Sequence, residues 1–573
     1  MRILFITTAH NSLSQRLAVE LTRRGHTIAL SIGRTPEGML EDVEQSRPDL
    51  IIAPMLKTAI PELIWRRHLC LIVHPGIKGD RGPSSLDWAI SLGVERWGVT
   101  VLQAEAEMDA GPIWAAETFA MPHQPPTKGS LYRAEVTEAA VRATLVAVAR
   151  VAGGGFTPEP LDYGRGDVQG QLRPSPGQSE RAIDWATHTT REIALRVRAA
   201  DSSPGVLTTL LGHRVYVYGA HEEDRLTGPA GHIIAQRHGA LCVGTIDGAV
   251  WLTHLKAKAT EHRYSGIKLP AAQVLKPLIS RVPRLEVAVD SPANHRTYRE
   301  IRYWERGQVG YLAFDFYNGA MSTQQCRRLL SALRRARSRP TQVICLLGGR
   351  DFWSNGIHLN VIEAADDPAR ESWRNINAID DVVLQILTAR QLIVAGLRGN
   401  AGAGGVMLAL AADRVYARRG VVLNPHYRTM GNLYGSEYWT YTLPRRVGAD
   451  MALQITDACQ PMGVEEACEI GLLDAAFGAD VDDFQHQLEA RADAMVSDPG
   501  LPGWLETKQR RRRDDERARP LASYRARELA HMADNFFGAD ARYHEARRRF
   551  VRKLSTTRPT NVVSPQPVSD LAA

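Results

Sequence analysis

Within its first 75 residues the chain sets out four short apolar runs, RILFIT, HTIALSI, LIIAP and LCLIVHP, with the amphipathic stretch LSQRLAVELTRRG between the first two. Runs so short and so continuously apolar suit strands buried on both faces. LSQRLAVELTRRG instead repeats its apolar residues at helical spacing and closes on a glycine. Strand, helix, strand in that order leads to a parallel, doubly wound α/β sheet, because a parallel crossover must pass over one face of the sheet. The alternation returns from about residue 300 with strand GYLAFDF, helix TQQCRRLLSALRRAR, strand TQVICLLGG, helix IDDVVLQILTA, strand LIVAGLRG and helix GVMLALAADRV. Between the blocks, VLTTLLGHRVYVYGA and GHIIAQRHGALCVGTIDGAVWLTHL read as short strands joined by glycine turns. The polar GDVQGQLRPSPGQSE and the stretch SRVPRLEVAVDSPANHR read as linkers. Four segments are therefore expected: an α/β domain at 1–165, a small β-rich domain at 166–285, a second α/β domain at 286–485 and an arginine-rich helical region at 486–573.

Charge and composition exclude several classes. Seventy Lys and Arg against 63 Asp and Glu leave a net charge of +7, and 44% hydrophobic with 23% charged residues is ordinary for a folded chain. No apolar run approaches the roughly 18 residues that span a bilayer, and MRILFITTAH reads as a first strand rather than a signal peptide. No membrane partner is expected, and the location expected is cytoplasmic. The six cysteines (70, 242, 326, 345, 459 and 468) form no C-x-x-C, which speaks for a reducing compartment and against a metal ribbon. The run Arg510–Arg513 has acids beside it and few aromatics, so it reads as a solvated helix face or a phosphate clamp, not a nucleic-acid site.

His74 ends LCLIVHP where a Gly/Pro-rich loop begins, and in open α/β sheets ligands bind at that carboxyl edge. With Asp109 on a later loop it forms either an acid–base pair or merely a strand cap and a turn. The pattern H-P-(x5)-R-G, then W-A-(x8)-G-V-T, then D-x-G-P-I resembles the 10-formyltetrahydrofolate-dependent formyltransferase family, which includes methionyl-tRNA formyltransferase. The resemblance extends over about 1–280, where RAIDWATHTTREIALRVRAADSSPGVLTTLLGHRVYVYGA is similar to that family's C-terminal OB-like β-barrel. It implies 10-formyltetrahydrofolate as formyl donor, His74 and Asp109 as catalytic residues, and Arg81 and Gly82 as the cofactor-binding Arg-Gly loop. One position departs: the family's Asn two residues before the histidine is Ile72. A lost oxyanion donor typically costs about 10²–10³ in rate. Either His10, Asn11 or Gln15, just after the first strand, supplies a substitute, with Gln15 catalytic and Asn11 on the cofactor, or Asn11 or Ser12 only caps the first helix. A better nucleophile such as a thiol compensates too.

GNAGAGGVMLALAAD, residues 399–413, joins a strand to a helix. With no lysine after the glycines it is a weak phosphate loop; the alternative is an oxyanion hole. FYNGAMS, DFWSNGIHL, the Gly-rich loop, LPRRVG, ACQPMGVEEACEIGLLDAAF and FFGADARYHEARRRFVRK, in that order, resemble the crotonase (enoyl-CoA hydratase/isomerase) superfamily over about 300–553. That resemblance implies coenzyme A as ligand and the N–H groups of Ile357 and Gly404 as oxyanion donors. It further implies Gly405 in the binding loop, and Arg547 and Lys553 on the terminal helix as partners of the CoA phosphates. The family's two catalytic glutamates fall on Met407 and His426, so ordinary hydration does not carry over. In NPHYRTMGNLYGSEYWTYTLP, either Glu437 acts as base and Tyr427 as proton donor, or Glu437 pairs with Arg445 and Tyr427 packs.

The pairing of these two halves is similar to a family of [NiFe]-hydrogenase maturation proteins. That resemblance implies small-molecule substrates, hydrogenase maturation proteins or the hydrogenase large subunit as partners, and production of carbon monoxide. Formyl-CoA would link the halves: formyl transfer to CoA, then decarbonylation. The alternatives are formylation of a small amine (a sugar nucleotide or siderophore precursor) beside a regulatory or thioester-hydrolysing crotonase half, or a non-catalytic scaffold.

Overall fold

The computed structural model describes residues 1–33, 35–258, 266–292 and 294–554, and the backbone of 561–563. The chain divides into two compact units. One holds Met1–Asp184 and Arg191–Leu207 with the strand Asn561–Val563; the other holds Trp185–Thr190 and Thr208–Thr556.

In the first unit the expected strands form as β1 (Arg2–Thr7), β2 (Thr27–Ile32), β3 (Leu50–Ala53) and β4 (Cys70–His74), joined by β5 (Arg96–Gln103) and β6 (Ile113–Ala120). The sheet runs Asn561–Val563, β2, β1, β3, β4, β5, β6. β2, β1, β3 and β4 are parallel as expected. β5 and β6 are antiparallel, because the chain stays at the carboxyl edge after His74 and re-enters the sheet from there, pairing His74 with Thr100. The helix Ser12–Arg23 is capped by Asn11, and Gly25, at φ 81°, takes the left-handed turn after its end. Its Leu13, Leu17 and Leu21 pack on the sheet together with the helix Thr137–Gly153.

Residues 166–180 are no free linker. Gly170 N–H donates to the Lys78 carbonyl at 2.9 Å and Arg173 N–H to the Arg81 carbonyl at 3.0 Å. Trp88 Nε1 reaches the Pro174 carbonyl at 2.8 Å. Glycine and proline leave the backbone of this segment open to such bonds, and it becomes a strap across the loop that follows His74.

In the second unit His213–Glu223, Ala249–Ala257, Ala240–Gly244 and Ile233–Arg237 are antiparallel neighbours in that order. Beyond them Ile301–Arg306, Val309–Phe314, Val343–Leu347, Leu392–Leu397, Arg414–Arg418 and Ala475–Phe477 form a second sheet, parallel after its first pair. A small sheet adds Phe352–Ser354, Asn400–Gly402, Val422–Asn424 and Met462–Gly463. The expected helix GVMLALAADRV is shorter than its apolar pattern: it spans Gly404–Leu410, and Arg414–Arg418 is strand. Asp413 makes the break, accepting from Ile393 N–H at 2.7 Å and pairing with Lys508 at 2.5 Å. From Val481 the chain is helical through Arg552 apart from short connections. Among the described residues no helix is long and apolar enough to cross a membrane.

Candidate active sites

His74 is the last residue of β4 and is buried. Its Nε2 lies 2.9 Å from Asp80 Oδ2 and its Nδ1 3.6 Å from Asp109 Oδ2. The β5–β6 connection folds back to bring Asp109 there, with the residue itself at φ 56°, and Gly82 N–H donates to the same Oδ2 at 3.1 Å. Arg81 is held by the Met108 carbonyl at 3.1 Å and Glu107 at 2.6 Å. Arg173, from the strap, reaches the far oxygen of Asp80 at 3.4 Å. His74, Asp109, Arg81 and Gly82 are thus gathered in one place. Gly82, at φ 110°, has no room for a side chain, since a Cβ would strike the Arg173 carbonyl. Gly82→Ala is expected to cost about 1–3 kcal/mol of stability from backbone strain alone, measured by chemical denaturation of the full chain.

Asn11 and Gln15 follow β1 rather than β4. The Asn11 carboxamide is committed at both ends, accepting from Ser14 N–H at 3.1 Å as helix cap and donating to Tyr132 Oη at 3.0 Å. Gln15 Nε2 donates to the His10 carbonyl at 3.1 Å. Asn11 thus serves as the helix cap. The His10 ring bonds Ser14 Oγ at 3.0 Å, and burial pulls its pKa down to about 4, so it stands there neutral. Ile72 packs against the apolar cluster around Leu4, Ile6 and Ile60.

The second group forms around the Gly-rich loop. A Cβ placed on Gly356 would lie 3.3 Å from the Gly404 nitrogen, so the two loops that carry the expected oxyanion donors touch. Among the described residues neither Ile357 N–H nor Gly404 N–H donates to a protein acceptor. Gly405 is walled by the Ser354 carbonyl, and its own carbonyl takes the Trp353 indole N–H at 2.8 Å. The Glu437 carboxylate sits directly on Gly404, where a Cβ would collide with Oε1. Its other oxygen accepts from Tyr427 Oη at 2.7 Å and Ser436 N–H at 3.1 Å. Glu437 and Tyr427 are 1% and 7% exposed. Burial, reinforced by the charge of Asp380, pushes the Glu437 carboxyl up to about 8. Glu437 and Tyr438 hold φ of 63° and 58°, a conformation that costs a non-glycine residue about 1–2 kcal/mol.

A relative 47% identical over 562 residues, 97% of this chain and 96% of its own length, is the hydrogenase maturation factor HoxX of Bradyrhizobium diazoefficiens. The chain belongs to the HoxX family of hydrogenase maturation factors. The crystal structure of HypX from Aquifex aeolicus in complex with tetrahydrofolic acid matches with a TM-score of 0.93 at 44% identity, over 98% of this chain and 97% of that one. A formyl transferase C-terminal domain matches residues 177–263 and the enoyl-CoA hydratase/isomerase family residues 315–556. Methionyl-tRNA formyltransferase of Roseiflexus castenholzii is 32% identical over 232 residues, 38% of this chain and 70% of its own length.

In this HoxX-family chain Met407 is fully buried in the core, as packing requires. Glu437 does not pair with Arg445, which is bound to Asp515. Arg547, expected on the CoA phosphates, is 3% exposed, with Nε 2.9 Å from Glu363 and Nη1 2.8 Å from the His544 ring. Arg548 and Arg552 of the same helix also approach Glu363, at 3.9 and 3.5 Å. Lys553, after the end of the same helix, is exposed, with its ammonium 4.5 Å from the Phe550 ring centre. Asp80, Arg173, Asp380, Ser436 and Glu528 belong to these sites without having been singled out in the sequence.

Proposed function

We propose that this protein makes carbon monoxide for hydrogenase maturation in two steps. The first unit transfers formyl from 10-formyltetrahydrofolate to the thiol of coenzyme A; the second unit splits formyl-CoA into CO and free CoA. The folate assignment draws on the tetrahydrofolic acid bound by the Aquifex aeolicus relative and on the Arg81–Gly82 loop beside His74 and Asp109. In that step Asp109 takes the thiol proton as the sulfur attacks the formyl carbon, His74 stabilises the oxyanion of the tetrahedral intermediate, and as that intermediate collapses the C–N10 bond breaks and Asp109 returns the proton to N10, releasing tetrahydrofolate. Asp80 fixes the His74 ring through Nε2. Asp80→Asn is expected to slow formyl transfer roughly 10²-fold, because an amide can turn its NH₂ to that nitrogen and disturb the proton arrangement. The check is the rate of formyl-folate consumption in the presence of CoA.

For the second step the supporting observation is the placement of the two Glu437 oxygens. Oε1 faces Gly404, where a thioester oxygen would be held by the N–H groups of Ile357 and Gly404, while Oε2 holds Tyr427 at 2.7 Å. Oε1 takes the formyl hydrogen as a proton. The C–H pair stays on carbon as the lone pair of CO, the C–S bond breaks, and the thiolate leaves with a proton from Tyr427. The Glu437 carboxyl then turns its protonated oxygen toward Tyr427 and returns the proton to the tyrosine oxygen, and the cycle closes without net proton uptake. A site this buried keeps water from hydrolysing formyl-CoA to formate.

The test is gas detection with purified protein, isotopically labelled formyl-folate and CoA, reading labelled CO on a reporter haem. Labelled CO is expected only with both substrates present. No CO from the complete mixture, or the label appearing on an amine instead, overturns the reading.

A further inference from the structure

Two buried carboxyls behind Glu437 have no part in the chemistry described so far. Asp380, on the helix Pro368–Leu387, accepts from Glu437 N–H at 2.8 Å and from Ser436 Oγ at 2.9 and 3.0 Å on its two oxygens. Glu528, on the helix Leu521–Phe537, accepts from Tyr438 N–H at 2.9 Å, Thr440 N–H at 2.8 Å and Thr440 Oγ at 2.5 Å, with Ser436 Oγ at 3.3 Å. Both are 0% exposed. Between them they bind Ser436, Glu437, Tyr438 and Thr440, the stretch whose backbone enters the left-handed region at Glu437 and Tyr438. Without such anchors that turn would relax, and Oε1 would leave Gly404.

We propose that Asp380 and Glu528 are positioning residues for Glu437: they fasten the 436–440 turn that aims its carboxylate at Gly404, and their negative charge strengthens it as a base. The inference rests on the reading of Glu437 as the base that takes the formyl hydrogen. The charged and titratable groups around Glu437 come from four elements. Pro368–Leu387 supplies Asp380 and Asp381, and Leu521–Phe537 supplies Glu528 and Arg525. Thr323–Arg337 supplies the buried thiol of Cys326, and the loop itself supplies Tyr427 and Tyr438. Arg525 is shared, 3.6 Å from Asp380 and 2.7 Å from Asp381, so one guanidinium faces an excess of carboxylates. Burial raises Asp380 and Glu528 to about 7 each, and their charges act in the same direction as burial on Glu437.

Asp380→Asn keeps an oxygen acceptor for Glu437 N–H and removes the charge; Glu528→Gln does the same on the other side. In each full-length variant the Glu437 carboxyl is titrated by infrared difference spectroscopy without substrate, with Glu437→Gln subtracted to assign its band. The pH profile of CO release from formyl-CoA is measured beside it. The Glu437 midpoint is expected to fall by about one pH unit in either variant, and the acid limb of CO release to move down equally, with maximal turnover reduced several-fold by the weaker base. An unmoved midpoint in both variants overturns the proposal, as does a lower turnover with an unchanged profile, which a merely structural role would give. Should one variant fail to fold, the other carries the test. Because the infrared titration needs no substrate, a shifted band with no CO from any form of the protein sinks decarbonylation while upholding the role of the two carboxyls in setting the proton affinity of Glu437.

Discussion

Replacing Glu437 by glutamine is expected to lower CO release from synthetic formyl-CoA by about 10²–10⁴-fold, the usual worth of a positioned general base, while formyl transfer to CoA continues. The substitution is close to isosteric. The carbonyl of glutamine still accepts from Tyr427 Oη and Ser436 N–H, which bond Oε2 in the native site, so the turn has little reason to move. In the native protein CO release should rise with pH through about 8, because only the ionised carboxylate accepts the proton. Stability should run the other way. A carboxyl raised from 4.5 to about 8 favours the folded state fully below pH 4.5, and that contribution is lost as pH rises through about 8. Glu437→Gln removes this dependence, so its thermal-unfolding profile between pH 4.5 and 8 should be flatter than the native one. Turnover within threefold of the native rate, read on the reporter haem, would mean that the formyl hydrogen goes to another group.

The outcome at this site explains what was legible in the sequence. Tyr427 and Glu437 stand in one loop rich in aromatics, and Gly404 in a glycine run, so residue type and the crotonase resemblance together singled them out. Asp380 and Glu528 are hard to see because they hide within regular helices. Yet Asp380 falls on the stripe of Ile376 and Val383, and Glu528 on that of Leu521 and Met532. An acid at helical spacing within an apolar stripe is the signal of a buried, partnered carboxyl, and it was available. Arg547 shows the reverse difficulty: an arginine on the terminal helix reads as a phosphate ligand, and its ion pair with Glu363, 184 residues away, is invisible in the sequence. Asp80 stood in plain view within K-G-D-R-G, but pairing it with His74 Nε2 requires the turn at Gly76, where a Cβ would collide with both side chains. The strap at 166–180 illustrates a general difficulty. Gly and Pro mark irregular backbone equally well whether it hangs in solvent or is bonded onto a site.

His74→Ala and Asp109→Asn are expected to lose formyl transfer to CoA by about 10²–10⁴-fold each, yet to release CO from added formyl-CoA at the native rate. Both residues lie in the first unit and Glu437 in the second, with no side-chain contact needed between the two reactions. The loss should show as formyl-folate left unconsumed, since Ile72 offers no amide donor to share the oxyanion with His74. With Asp109→Asn the Gly82 N–H keeps an acceptor, so folate affinity should hold while turnover falls; with His74→Ala the cavity itself changes and both should suffer. Combining His74→Ala with Glu437→Gln protein in one vessel then asks how the steps communicate. On the two-step reading, Glu437→Gln protein supplied with formyl-folate and CoA should accumulate formyl-CoA, and His74→Ala protein should consume it. Recovery of CO in the mixture would establish formyl-CoA as a released intermediate. No recovery, with each variant still performing its remaining half-reaction, would mean that the carrier keeps its formyl group within one molecule. CO release from formyl-folate at a near-native rate by either variant alone would show that the two reactions are not in sequence, and the two-step reading would fail.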